Sequence, residues 1–349
     1  MNKTRDAVNS YNQIRNCQKL LVLDLGFLGD AIHLIPALWM IREAMPDVRL
    51  DVMIAEHIKS IFDLTPWLDN VIGYPRYPVG PKWHEDIGRV RSLRREKYDA
   101  VINLNGSDRT SLLTYFTGAK FRLGRVPDRP PLFVKYCFTD MVEVEFLTKP
   151  VFQQRCECLE KMGFPKSEIK FPITIPQQAQ KKIDLELKDV GEFVHISPFT
   201  TADFRELPLD VLAEAVNALK FEFIISCAAN DREKNKLNHL LKLLQRKPAR
   251  VFAGNLNIVE LTALISRSGL HLGGDSGALH IALMTNTPSV SWFRYYRTNK
   301  EWMPQGEMHK QLVGEASPNG IQGISSDDLV QAISKSKLPV LASGRLLNL

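Results

Sequence analysis

Three strand-to-helix turns in this chain carry residues able to do chemistry. The first is Gly26-Phe27-Leu28-Gly29-Asp30. Its glycines let a ligand approach the backbone, and Asp30, at the start of a helix, can serve as a general base or simply cap free N–H groups. The residues alone leave both readings open. The second is Gly273-Gly274-Asp275-Ser276-Gly277-Ala278-Leu279-His280. A glycine-rich strand end running into a helix presents N–H groups and a positive dipole end to a phosphate. Ser276 adds a hydroxyl, and His280 lies one turn on, either facing the same ligand or packed in the interior. Asp275 either caps the loop or meets sugar hydroxyls. The third is the run Ser197 to Pro208, with hydroxyls at Thr200 and Thr201 and with Arg205 just ahead of a helix. A guanidinium there can clamp a diphosphate bidentately, or stand as a solvated loop cation.

Other chemistries are disfavoured. The first turn is G-x-x-G and lacks the third glycine of a dinucleotide fingerprint. No D-x-D pair flanks either glycine turn, so neither a metal nor another cofactor is expected. Five cysteines, Cys17, Cys137, Cys156, Cys158 and Cys227, are odd in number and irregularly spaced, as in reduced intracellular proteins. Lys and Arg number 45 against 39 acidic residues, a net +6 that suits an anionic ligand or membrane surface without requiring one. No nucleic-acid partner is expected.

The turns need a scaffold, and 349 residues, 44% of them apolar, are enough for two domains. Leu20 to Leu25 reads as a buried strand and Ala31 to Met45 as a helix. Further strands are expected at Arg49 to Ile54, Val71 to Tyr74 and Tyr98 to Leu104, with a basic helix at Gly88 to Glu96. A second series of strands and helices opens at Phe193 to Ser197 and runs to Trp292. The alternation predicts α/β domains with parallel sheets. The boundaries expected are 1–180, 181–325, and a C-terminal helix and tail at 326–349, for which a return onto the N-terminal domain is open. The first nineteen residues show no signal-peptide pattern, and Asp24, Asp30, His33 and Pro36 interrupt the most apolar stretch, so no membrane span is expected.

Three stretches resemble glycosyltransferase family nine, the ADP-heptose:lipopolysaccharide heptosyltransferases. They are L-D-L-G-F-L-G-D-A-I-H-L-I-P-A-L from Leu23 to Leu38, Y-D-A-V-I-N-L-N-G from Tyr98 to Gly106, and G-G-D-S-G-A-L-H-I-A from Gly273 to Ala282. The last is similar to the family's D-[ST]-G-x-x-H signature. The resemblance implies a GT-B architecture, two Rossmann-like doubly wound domains facing a central cleft. The N-terminal domain would bind the acceptor and the C-terminal domain the nucleotide sugar.

By that resemblance Asp30 is the base of an inverting transfer. Arg205, Thr200, Thr201, Gly274, Asp275, Ser276, Gly277 and His280 would hold an ADP-sugar, with Leu256 beside the adenine and Asn230 or Glu233 at the ribose. Asn105, Arg109, Arg122 and Arg125 would meet an anionic lipopolysaccharide core or other glycan. The implied location is cytoplasmic, with peripheral contact at the inner membrane. The chain departs from the family at Arg205, usually lysine, and at Leu207, usually tryptophan, where a change would alter the cleft wall. A transferase for another nucleotide sugar and a catalytically silent sugar-nucleotide-binding protein are the alternatives.

Overall fold

The computed structural model describes residues 9–76, 83–127, 131–317 and 320–336. The chain forms two compact units, Met1–Thr174 and Ile175–Leu349. The boundary falls just ahead of the helix Gln177–Glu186, where 180/181 was expected. That helix buries Ala179 and Ile183 against the helix Ile258–Arg267. Ion pairs Lys182–Glu260 at 2.8 Å and Arg267–Asp184 at 2.6 Å join the same two helices.

The first unit is a parallel sheet of β1 (Lys19–Leu23), β2 (Arg49–Ala55), β3 (Asn70–Tyr74), β4 (Ala100–Asn103), β5 (Phe121–Arg125) and β6 (Asp140–Val142). The spatial order is β3-β2-β1-β4-β5-β6. Leu20 to Leu23 are buried throughout, as expected of a central strand covered on both faces. The helix Leu28–Ala44 follows β1 and contains Pro36. A proline inside a helix costs about 3 kcal/mol. Burial of Ile32, Leu34, Ile35, Leu38 and Ile41, each worth roughly 1.5–3 kcal/mol, outweighs that cost.

The second unit holds β7 (Phe193–Ser197), β8 (Glu222–Cys227), β9 (Arg250–Ala253), β10 (Leu270–Gly274), β11 (Ser289–Arg294), β12 (His309–Ser317) and β13 (Gly320–Gln322). Their order is β13-β12-β11-β10-β7-β8-β9, parallel except for the antiparallel β12–β13 pair. Counted from its own first strand, this unit repeats the 3-2-1-4-5-6 order of the first. Each sheet therefore has a switch point, between β1 and β4 and between β7 and β10. Doubly wound sheets bind ligands outside the carboxyl ends of the strands at that point.

The two faces of the second sheet differ. One carries Val194, Ile196, Leu272, Val290 and Trp292, packed with Leu212, Leu237 and Leu329. The other carries a buried polar row: Ser226, His195, His271, Ser289 and His309. His195 Nδ1 lies 2.9 Å from His271 Nδ1, His195 Nε2 lies 2.8 Å from Ser226 Oγ, and Ser289 Oγ lies 2.8 Å from His309 Nδ1. Burial pushes His195 down to about 3 and His309 to about 4, and takes His271 well below its ordinary value.

The C-terminal helix, Ser326–Lys335, buries Leu329 and Ile333 on the helix Leu209–Ala218. It belongs to the second unit. Residues 337–349 lie outside the described residues. Among the described residues, no helix is long and apolar enough to cross a membrane.

Candidate active site

The turn after β1 is built around two aspartates. Gly26 has no side chain because Asp30 occupies its place: a Cβ there would lie 2.2 Å from Asp30 Cβ. Asp30 is the third residue of its helix, not the cap residue, and its Oδ2 accepts the Phe27 N–H at 2.9 Å. The capping reading is therefore realised, from inside the helix. Its carboxylate stays partly exposed, at 23%. Asp24 is buried beneath. Its Oδ1 accepts from the Gly26 N–H at 3.0 Å and from Asn105 Nδ2 at 3.2 Å, and its Oδ2 pairs with Arg155. Arg155 also reaches Asp30, donating to its backbone carbonyl and standing 3.3 Å from Oδ1. Burial raises the Asp24 carboxyl above its ordinary value, while the Arg155 charge and the two hydrogen bonds oppose the rise.

Asn105 bridges the switch point, since it follows β4 and bonds to Asp24 beyond β1. Its carbonyl accepts from Arg125 Nη2 at 3.0 Å. The Arg125 guanidinium stacks on Phe146 at 4.8 Å, and burial lowers its pKa. Gly106, at φ +72°, leaves room for it, because a Cβ would stand 3.2 Å from Arg125 Nε. Asp30, Asn105 and Arg125 thus form one cluster. Arg109 is engaged elsewhere: it donates to the Tyr74 hydroxyl at 3.1 Å and lies 4.0 Å from Asp86. Tyr74 in turn donates to Asp86, and its hydroxyl is pushed up to about 12, chiefly by burial.

Arg122 does not join the cluster. It sits near the opposite end of β5 from Arg125, three residues or ~10 Å back along the strand. Its Nε donates to the Cys137 carbonyl at 2.9 Å and its Nη1 to the Ala119 carbonyl at 2.7 Å.

In the second unit, the Gly273–Gly277 turn, Arg205 and His280 come together. A Cβ on Gly274 would lie 2.9 Å from Trp292 Nε1, 3.1 Å from Thr200 Cγ2 and 3.3 Å from the Arg205 carbonyl, so the turn tolerates only glycine there. Asp275 stands between Arg205, at 3.6 Å, and His280 Nε2, at 4.0 Å. Burial lowers His280, Asp275 opposes this, and Trp302 packs edge-on at 5.6 Å. Ser276 is the cap residue of the helix Gly277–Met284, yet its hydroxyl makes no cap bond. Ser276 Oγ and Arg205 Nε are buried polar atoms without hydrogen-bond partners.

Other expected donor residues have local work. Thr200 is buried, with Oγ1 donating to the Ala202 carbonyl at 2.8 Å, whereas Thr201 is exposed. Asn230 and Glu233 close on each other at the start of the helix Asp231–Leu243. Asn230 Oδ1 accepts the Glu233 N–H at 2.9 Å, and Glu233 Oε2 accepts the Ala228 N–H at 2.7 Å. Expected at a ribose, both side chains serve the helix start. Leu256 is half-buried ahead of Ile258–Arg267. Leu207, expected to alter a cleft wall, is buried in the second unit's apolar core beside Phe199.

The model of glycosyltransferase family 9 (heptosyltransferase) matches residues 89–320, two thirds of the sequence. The chain belongs to glycosyltransferase family 9. It is a glycosyltransferase of the GT-B fold class. Among relatives, the lipopolysaccharide core heptosyltransferase OpsX of Haemophilus influenzae is 26% identical, covering 80% of each chain. The glycosyltransferase family 9 structure from Veillonella parvula superposes with a TM-score of 0.78 at 18% identity, covering 91% of this chain and 96% of that one. The Escherichia coli heptosyltransferase WaaC with ADP gives 0.71 at 17% identity, covering 91% and 97%.

In this family-9 chain, sequence reasoning passed over two groups of site residues. One is Asp24 with Arg155. Asp24 was visible as a charge inside an apolar strand, whereas nothing in the local pattern marks Arg155. The other is Glu206 with Arg232 and Lys236. Glu206 accepts the Thr200 N–H at 2.8 Å, Lys236 at 2.7 Å and Arg232 at 3.1 Å. Asp203 is shared by the same two cations.

Proposed function

We propose that this family-9 chain transfers heptose from ADP-heptose to the inner core of lipopolysaccharide, inverting the anomeric centre. The observation that carries the reading is the Gly273–Gly277 turn, where a buried, unpartnered serine hydroxyl and the Arg205 guanidinium flank a helix start. Those donors suit the diphosphate of a nucleotide sugar. The names of the relatives support the sugar and the acceptor, and WaaC is known with ADP.

In this reading the acceptor hydroxyl attacks the anomeric carbon as the bond to the ADP oxygen breaks. Asp30 takes the hydroxyl proton, and its partial exposure leaves a carboxylate oxygen for that role. Arg205, Ser276 and the Gly277 N–H stabilise the charge that develops on the leaving diphosphate. These groups do the work of a metal, and none is required. Arg125 and Asn105 meet the acceptor's anionic groups. The reaction takes place at the cytoplasmic side of the inner membrane.

A thermal-shift panel tests the reading, since a ligand that binds only the native state raises its melting temperature. ADP and ADP-heptose are expected to stabilise the chain, and UDP- and GDP-sugars to leave it unchanged. Stabilisation by UDP- or GDP-sugars alone would assign another donor.

A further inference from the structure

Two of the buried polar atoms that lack a hydrogen-bond partner, Ser276 Oγ and Arg205 Nε, belong to the Gly273–Gly277 turn and the loop beside it. Two more stand on the neighbouring strand β11, Trp292 Nε1 and Arg294 Nε. Strands β10 and β11 run parallel with Gly274 opposite Trp292. Trp292 Nε1 comes within 2.9 Å of the place a Gly274 Cβ would take. Arg294, two residues on, lies past the carboxyl end of β10 and on the same face as Trp292. Unsatisfied donors therefore continue one strand beyond the glycine turn.

Arg294 is held in place before any ligand arrives. Its guanidinium lies 5.1 Å from the ring centre of Phe204 and 5.1 Å from that of Tyr296, and Nη1 donates to the Tyr296 hydroxyl at 3.1 Å. Buried Asn299 locks the backbone below: its Nδ2 donates to the Arg294 carbonyl at 2.9 Å and its Oδ1 accepts the Tyr296 N–H at 2.9 Å. Phe204 also carries the Arg205 guanidinium, at 5.8 Å, so the two arginines share one ring. Their charges are matched differently. Arg205 stands 3.6 Å from Asp275, whereas no acidic side chain among the described residues pairs with Arg294. Aromatic faces hold a cation without neutralising it. A fixed guanidinium with its charge unmatched and an N–H unpaired suits an anion brought in by a ligand.

We infer that Arg294 is a second cation of the donor site, one that takes the terminal phosphate of a nucleoside diphosphate and so selects diphosphates over monophosphates. The inference rests on the reading of this turn as a nucleotide-sugar site. A ligand enters a doubly wound sheet at the switch point, here between β7 and β10. Arg294 lies beyond β10, on β11, so it meets the part of the ligand that has crossed the glycine turn. The phosphate nearer the nucleoside is left to the start of the helix Gly277–Met284 and to Ser276. Arg205, shared with Asp275, has less charge to give, and Arg294 supplies what the second phosphate needs.

Calorimetry of the full chain with ADP, AMP and inorganic pyrophosphate tests this. The parent is expected to bind pyrophosphate, and to bind ADP more tightly than AMP. Arg294→Gln should weaken ADP and pyrophosphate by about tenfold or more, the loss expected of one charge-assisted contact, and AMP by less than about twofold. The preference for the diphosphate then collapses, which general damage to the site would not produce, because damage weakens both nucleotides. Arg294→Lys keeps the charge without the planar fork and should recover part of the loss. Arg297→Gln, which removes an exposed cation from the same turn, should bind as the parent does. Equal weakening of ADP and AMP in Arg294→Gln overturns the inference, as does equal loss in Arg297→Gln. Unchanged affinity for ADP and pyrophosphate in Arg294→Gln overturns it too, while leaving the ADP-heptose reading in place. A parent that binds UDP in preference to ADP ends that reading instead, and the same comparison made with UDP and UMP then decides the role of Arg294. A parent that binds neither diphosphate nor pyrophosphate overturns both.

Discussion

Arg155 holds Asp24 and Asp30 with one guanidinium, joining a helix late in the first unit to the turn after its first strand. The Arg155–Asp24 contact is buried and the Arg155–Asp30 contact partly open. The same cation thus anchors the turn and fixes the carboxylate that faces solvent.

Arg155→Met is expected to destabilise the chain by about 3–5 kcal/mol, because Asp24 is left as an unpaired buried charge. Adding Asp24→Asn should recover part of that loss, since the remaining group carries no charge. Denaturant unfolding of the parent, both single variants and the double gives the coupling. Strictly additive losses would show that the pair does not act as a unit.

Asp30→Asn should keep the cap, because the amide oxygen still accepts the Phe27 N–H. Donor binding and melting temperature are expected to stay near those of the parent, while turnover falls ~10²–10⁴-fold. Turnover near the parent rate would leave Asp30 as a cap alone and move the search to His33 and His280.

How much of this was legible in the sequence varied with how local the cause was. Glycine turns are written into short stretches, and those at Gly26 and Gly273 fell at the switch points of the two sheets. Asn230-Asp231-Arg232-Glu233 is also local: asparagine followed three residues later by glutamate is a helix-start signature. It was read as ribose chemistry, and the helix uses it. Arg155 was not legible, because its partners lie over a hundred residues away and its helix, Val151–Lys161, shows no distinctive periodicity. Strand β5, Phe-Arg-Leu-Gly-Arg, was hidden because its basic residues stand at a sheet flank. That concealed the distance between Arg122 and Arg125, which looked like neighbours in the sequence and serve opposite ends of a strand.

Arg205→Ala should weaken ADP binding by roughly 1.5–3 kcal/mol, the range for a charge-assisted contact, with little change in melting temperature. Calorimetry with ADP measures it. Unaltered affinity would remove Arg205 from the donor site.

Turnover should be indifferent to EDTA and to added Mg²⁺ or Mn²⁺. Activity lost to chelation and restored by either ion would refute the assignment of leaving-group stabilisation to Arg205 and the helix start.

Acid should unfold the second unit through its histidine row. His195, His271 and His309 are held uncharged in the folded chain, with His195 at about 3 and His309 at about 4 against an ordinary value of 6.5. Below that ordinary value the unfolded state binds protons that the folded state refuses. Stability is then at its full level above about pH 6.5 and falls as acidity increases toward the folded values, by up to about 1.4 kcal/mol per pH unit for each histidine. Denaturant midpoints between neutral pH and about pH 5 test it, and His195→Asn should flatten the dependence.

The clasp formed by Arg232 and Lys236 on Asp203 and Glu206 has a consequence for affinity. The segment from Thr200 to Arg205 is fastened to the helix Asp231–Leu243 before any ligand arrives, so the entropy of ordering it is lost during folding and not during binding. Loosening the clasp, as with Lys236→Met, would transfer that loss to the binding step. Donor dissociation would then quicken through a residue that need not touch the nucleotide at all.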